Sequence, residues 1–151
     1  MKNIFDQADT VHFIKRINSL TEDSFPKWGT MSVDKMLAHC NVTYELIYEQ
    51  EKHRKPTVIT RWLLKRFVKP KVTNEIPYKQ NLPTAAMFVI TNDKYFDEER
   101  KRLIGFIQKT QQLGAEAFEG KENFSFGKLT SKEWNNMMAK HLEHHLTQFG
   151  V

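Results

Sequence analysis

Apolar residues recur at three- and four-residue spacing in four separate stretches of this chain, the pattern of helices that each bury one face. The first stretch, from Gln7 to Leu20, puts Val11, Ile14, Ile17 and Leu20 on one side and His12 on the opposite, solvent side. The second opens at Ser32, a suitable N-cap after Gly29 and Thr30, and runs to Gln50. Its stripe is Val33, Met36, Leu37, Cys40, Tyr44 and Ile47. The third spans Lys94 to Leu113, with Phe96, Leu103, Ile104, Phe106, Ile107 and Leu113 inward and Gly114 as its stop. The fourth follows Leu129, where Thr130 and Glu133 have capping-box spacing, and ends at Gly150. Helices of about 20 residues extend roughly 30 Å, long enough to pack lengthwise.

Between the second and third stretches lies a long connection that holds Pro56, Pro70, Pro77 and Pro83, four of the five prolines. A structureless loop of that length is uncommon in a compact domain, so part of it is expected to fold. Val58 to Val68, with Trp62, Leu63, Leu64 and Phe67, reads as a short amphipathic helix. The run Ala85 to Thr91 is apolar and reads as buried, extended chain. The predicted architecture is all-α: a four-helix bundle forming a single domain over residues 1–151, with a long crossover connection between helices 2 and 3 that carries a short extra helix.

Length and composition change this picture little. A chain of 151 residues can bury a core without staples. The lone cysteine, Cys40, cannot form an internal disulfide, which favours a reducing compartment. The first residues lack the apolar stretch of a signal peptide, and no run approaches the roughly 18 apolar residues of a membrane span. A cytoplasmic protein is expected. Charge adds one feature. The net charge is +5, and from Lys52 to Lys71 there are eight Lys/Arg residues and His53 with no acid. Such a segment is ordinarily a solvated surface, but it can also meet phosphates, an anionic lipid surface or an acidic protein.

The candidate chemistry is in the histidines. Half of the six fall in the run His141-Leu142-Glu143-His144-His145 of the last helix. At about 100° per residue, His145 falls about 20° and His141 about 340° from Trp134, on or beside the stripe of Met138, Leu142, Leu146 and Phe149. His144, at about 280°, is an edge residue. A His-x3-His pair on one helical face can hold two corners of a metal site, or can be a hydrogen-bonded amphipathic face. The zincin pattern His-Glu-x-x-His is not met. His39, within Met36-Leu37-Ala38-His39-Cys40, is the natural third ligand, although it lies at the margin of its own stripe and periodicity alone would not select it. Cys40 points about 100° away from His39 and reads as a buried, inert thiol. Glu45, Glu49 and Glu143 lie near the histidines in sequence but are equally suited to solvent, and Asn41 and Thr43 take no assigned role.

Several stretches in combination resemble the DinB/YfiT-like superfamily, and more closely a bacterial DinB-like branch of unknown function. They are Trp28-Gly29-Thr30-Met31-Ser32-Val33 leading to His39-Cys40, Asn81-Leu82-Pro83-Thr84-Ala85 in the connection, Phe126-Gly127-Lys128-Leu129-Thr130 before the last helix, and Glu133-Trp134 with Lys140 to Gly150 within it. The resemblance runs essentially end to end. It implies a cytoplasmic helical bundle, a homodimer in many members, with a divalent metal, commonly nickel or zinc, held by three histidines. The corresponding residues here are His39, His141 and His145.

Members of known activity are mostly thiol-dependent transferases using low-molecular-weight thiols, or metal-dependent hydrolases and isomerases. The leading expectation is therefore a metal-dependent enzyme acting on a small molecule that enters past the connection, near Trp62, Phe67 and Tyr78. The alternative is a non-catalytic helical module that binds an anionic partner through residues 52–71. Nucleic acid is not the expected partner, because that segment lacks aromatics interleaved at a base-stacking spacing.

Overall fold

The computed structural model describes residues 1–151 and is mostly helical. Four long helices carry it: α1 (Gln7–Asn18), α2 (Val33–Tyr48), α5 (Phe96–Leu113) and α6 (Ser131–Gln148). Two short helices, α3 (Val58–Leu63) and α4 (Lys69–Val72), lie in the connection and are joined by a π-helical turn at Leu64–Val68. A two-stranded antiparallel hairpin, β1 (Glu122–Asn123) and β2 (Gly127–Lys128), precedes α6. Strands of two residues carry no usable alternation, which is why the hydrophobic pattern does not reveal them. The Asn123 side chain closes the hairpin by accepting from the backbone N–H groups of Ser125 and Phe126.

Helix ends follow the local chemistry. Thr130 and Glu133 form the expected capping box on α6, each side chain bonding the other's backbone N–H. Gly114 ends α5 at φ 73°, a conformation costly for any residue with a Cβ. Asp97, Glu98 and Glu99 crowd the first turn of α5, where the helix dipole favours negative charge.

α2 and α1 each pack against α5 and α6. Their meeting faces supply the core, in which Phe13, Ile17, Met36, Leu37, Tyr44, Leu103, Ile107, Trp134, Met138 and Leu142 are essentially inaccessible. α1 is rotated from the stripe expected of it. Thr10, Phe13 and Ile17 are buried while Val11 faces solvent, because the larger Phe13 gains more by burial than Val11. Leu113, also expected inside, lies at the open end of α5 and is exposed.

α2 is the central helix, with every residue from Met36 to Tyr44 buried. α5 and α6 cover two of its sides. A third is covered by a small cluster in which Val42, Leu46 and Phe124 hold Met87, Phe88 and Ile90 of the connection. The run Ala85 to Thr91 is therefore neither extended nor buried as expected. It forms a 3-10 turn, Ala86–Phe88, whose residues are exposed or half-buried. Its packing nevertheless fixes the position of the Phe88 carbonyl. No helix is long and apolar enough to cross a membrane.

Candidate metal centre

Three of the helices' histidine side chains meet where α2 and α6 cross under the 3-10 turn. His39 comes from α2, and His141 and His145 come from α6. One ring nitrogen from each lies within 4.8 Å of the other two, and the rings stand 4.5 to 4.8 Å apart between centroids. His39 and His145 are buried, and His141 keeps partial exposure. The sequence-selected trio is thus brought together. His39 is interior in spite of its marginal wheel position because α2 is covered on three sides. His144 is half-buried at the edge, its ring 5.8 Å from Trp28 and 5.7 Å from Tyr78. His12 is exposed, as its phase on α1 requires.

Each of the three rings is oriented by a bond at Nδ1. His39 Nδ1–H donates to the Phe88 carbonyl oxygen at 2.9 Å. His145 Nδ1–H donates to Gln148 Oε1 at 2.8 Å, and Gln148 Nε2–H donates in turn to the Trp28 carbonyl at 2.8 Å. His141 Nδ1 lies 3.1 Å from the Thr43 hydroxyl. Carbonyl and amide oxygens only accept, so His39 and His145 carry their protons on Nδ1 and turn the Nε2 lone pairs inward.

The Thr43 hydroxyl differs because it can donate or accept. His39 Nε2 and His141 Nε2 are 2.9 Å apart. With the His39 proton on Nδ1, that contact is a hydrogen bond when His141 Nε2–H donates to it and Thr43 O–H donates to His141 Nδ1. Reversing the hydroxyl moves the His141 proton to Nδ1 and turns a third lone pair to the same point. Partners that fix the tautomer of an imidazole are the usual outer layer of a metal site.

Electrostatics keep the rings neutral. Burial, the largest cause, holds His39 below the ordinary histidine value and holds His141 well below it; neighbouring histidines push both further down. His145 is lowered to about 3, again by burial first and then by His39. Neutral imidazole is the form that coordinates metals.

Other groups weighed from sequence lie elsewhere. Glu143 pairs with Arg16 at 2.6 Å on the outer side of α6. Glu45 joins His53 and Arg102, and Glu49 joins Lys52 and Arg102. Asn41 is buried and donates to the backbone oxygen and carboxylate of Glu99. The Cys40 thiol is fully buried and pushed up by that burial, so it is inert. Trp62 and Phe67, expected beside the site, are exposed on the outer side of the connection. Tyr78, expected there too, touches His144 and not the three clustered rings, and lines a separate cleft of about 670 Å³ with Trp28, His12 and His144.

Sequence reasoning missed Gln148 and Phe88 and gave Thr43 no role. Only Gln148 had a local signal, since it lies three residues after His145 and so one turn along the same helical face. The Trp28-Gly29 turn completes this chain of contacts. Gly29 adopts φ 79°, and a Cβ there would come within 3.0 Å of Gln148 Nε2.

No curated protein and no solved structure matches this chain. Residues 3–150 match the family model of DUF1569, described as a protein of unknown function. A match over nearly every residue, including all three clustered histidines and the residues that orient them, assigns the chain to the DUF1569 family.

Proposed function

We propose that His39, His141 and His145 hold a divalent ion, nickel or zinc, and that the protein is a metal-dependent enzyme acting on a small molecule. The observation that carries this reading is the set of three Nδ1 contacts, to Phe88, Thr43 and Gln148, which direct three Nε2 atoms at one point. A satisfied core histidine needs one such partner. Without an ion the 2.9 Å contact between His141 Nε2 and His39 Nε2 is a hydrogen bond, and reversing the Thr43 hydroxyl frees the third lone pair for an ion. The donor set, all imidazole, suits nickel and zinc better than magnesium or calcium. The four long helices are read as a DinB-like four-helix bundle, with the α3–α4 connection as its crossover.

An ion held by His39, His141 and His145 would supply Lewis acidity and would lower the pKa of a thiol or water bound to it, so that its proton could pass to solvent. The chain's own residues set the rest. His141 is the partly exposed ligand, so a small molecule approaches on its side. Thr43 takes up the change in His141 tautomer. Glu45, Glu49 and Glu143 are engaged in ion pairs elsewhere. Transfer to or from a low-molecular-weight thiol is therefore the first reaction to test, ahead of base-assisted hydrolysis. The same reading includes a cytoplasmic homodimer, and sedimentation velocity checks the assembly.

The deciding experiment is elemental analysis of protein purified without a polyhistidine tag, beside His39→Ala and His145→Ala. One ion per chain, lost in both variants, is expected. Thr43→Val and Gln148→Leu are expected to keep the fold and weaken ion affinity about 10–100-fold, measured by chelator competition. Protein that stays metal-free after loading with nickel and with zinc at neutral pH overturns the proposal.

A further inference from the structure

The segment that begins at α3 turns its hydrophobic side outward. Val58 is 86% exposed, Ile59 74%, Trp62 62% and Leu63 44%, and the following π-helical turn adds Phe67 at 56%. At about 100° per residue the four α3 side chains fall within about 140° of arc, so they form one contiguous face.

The opposite edge is the one that packs. Leu64, Val68 and Val72 rest on the core, Arg61 pairs with Glu122, and Lys69 pairs with Glu133 at 2.9 Å. From α6, Lys140 Nζ donates to the carbonyls of Lys71 and Asn74, and Asn136 Nδ2 donates to that of Thr73, each at 2.8 Å. These bonds pin the segment by its inner side. The apolar face cannot roll inward without breaking them.

Cations flank that face along the segment. Arg54, Lys55, Lys65, Arg66 and Lys71 are exposed and in no ion pair, and no acid occurs between Lys52 and Lys71. The Arg66 guanidinium lies 5.5 Å over the Phe67 ring, a long side chain laid along an aromatic with its charge outermost.

We propose that this face docks the protein on an anionic phospholipid surface. Trp62, Phe67 and the neighbouring aliphatic side chains enter the boundary between headgroups and acyl chains, and the cations meet lipid phosphates. Both halves of the pattern decide the occupant. A second copy in isologous contact would cover the apolar side chains but press the same basic patch against itself. A nucleic acid would neutralise the cations but leave Val58, Ile59 and Leu63 without an apolar partner. An anionic bilayer satisfies both.

The test is co-sedimentation of the full chain with vesicles of phosphatidylcholine alone and of phosphatidylcholine mixed with phosphatidylserine. Binding is expected only to the mixed vesicles, with a blue shift of tryptophan emission that added salt reverses and that Trp62→Ser abolishes, Trp28 and Trp134 lying elsewhere in the chain. Each cation removed is expected to lower the partition constant about five-fold, so Lys65→Ala/Arg66→Ala lowers it roughly 25-fold. Trp62→Ser/Phe67→Ser is expected to lower it at least about ten-fold. All four side chains are exposed, so circular dichroism and thermal midpoint stay as in the parent. Absence of binding to mixed vesicles, equal binding to both kinds, or indifference to the Trp62/Phe67 change overturns the proposal. So does tighter binding to an oligonucleotide, or a dimer that Trp62→Ser dissociates.

Discussion

Three clustered imidazoles, two buried and one partly so, make this protein sensitive to acid in a definite direction. His39, His141 and His145 are all held below the ordinary histidine value of about 6.5, with His145 down to about 3. Below about pH 6.5 the unfolded chain takes up protons on these rings and the native state does not. The contribution of these neutral rings to the stability of the metal-free protein is therefore fully present above about pH 6.5 and is lost as pH falls from there toward 3. Urea midpoints of metal-free protein between pH 7.5 and pH 4 should fall steeply. The same series on His145→Gln should be flatter, because a neutral amide does not titrate. Equal slopes would show that these rings do not govern acid stability. Ion affinity should fall over the same window, since protons and the ion compete for the same lone pairs.

Among the elements, the turn before α2 and the end of α6 act as one unit through Gly29 and Gln148. Trp28 O accepts from Gln148 Nε2, and the Lys27 N–H donates to the Gln148 carbonyl at 2.7 Å. Gly29 at φ 79° permits the close approach. Gly29→Ala meets both a left-handed backbone and a side-chain contact, and should cost about 1–2 kcal/mol in urea denaturation. It should also weaken ion binding, because displacing Gln148 removes the acceptor that orients His145. A variant that loses stability but keeps full ion affinity would separate the turn from the centre.

For the protein as a unit, the centre ties α2 to α6 across about a hundred residues of sequence, so an ion bound there acts as a crosslink of the native state alone. At a free ion concentration about 100-fold above Kd, linkage adds about 2.7 kcal/mol. For a domain of this size that raises Tm by about 5–11 °C. Differential scanning calorimetry of metal-free protein with and without nickel or zinc reads it directly. His39→Ala should show no rise, and an equal rise in that variant would place ion binding elsewhere.

Most helices of this protein were readable from local chemistry. The apolar spacing of α2 and α6, the Thr130–Glu133 capping box and the Gly114 stop are properties of neighbouring residues and stand where they were expected; Ser32 takes the N-cap position of α2, but its side chain makes no capping bond. The phase of His141 and His145 was readable for the same reason, since a fixed rise and twist relate residues four apart. The phase of α1 was not, because the choice between Val11 and Phe13 depends on what α5 and α6 offer opposite them. The inward position of His39, the Phe88 carbonyl above it and the Thr43 hydroxyl beside His141 depend on packing between residues 49 to 102 positions apart. The outward face of α3 belongs to the same class. An amphipathic helix has a hydrophobic side in any sequence reading, but whether that side meets the core or the solvent is settled by what the rest of the chain packs against it. Here Leu64, Val68 and Val72, with the bonds from Lys140 and Asn136, occupy the inner edge and leave Trp62 and Phe67 outside.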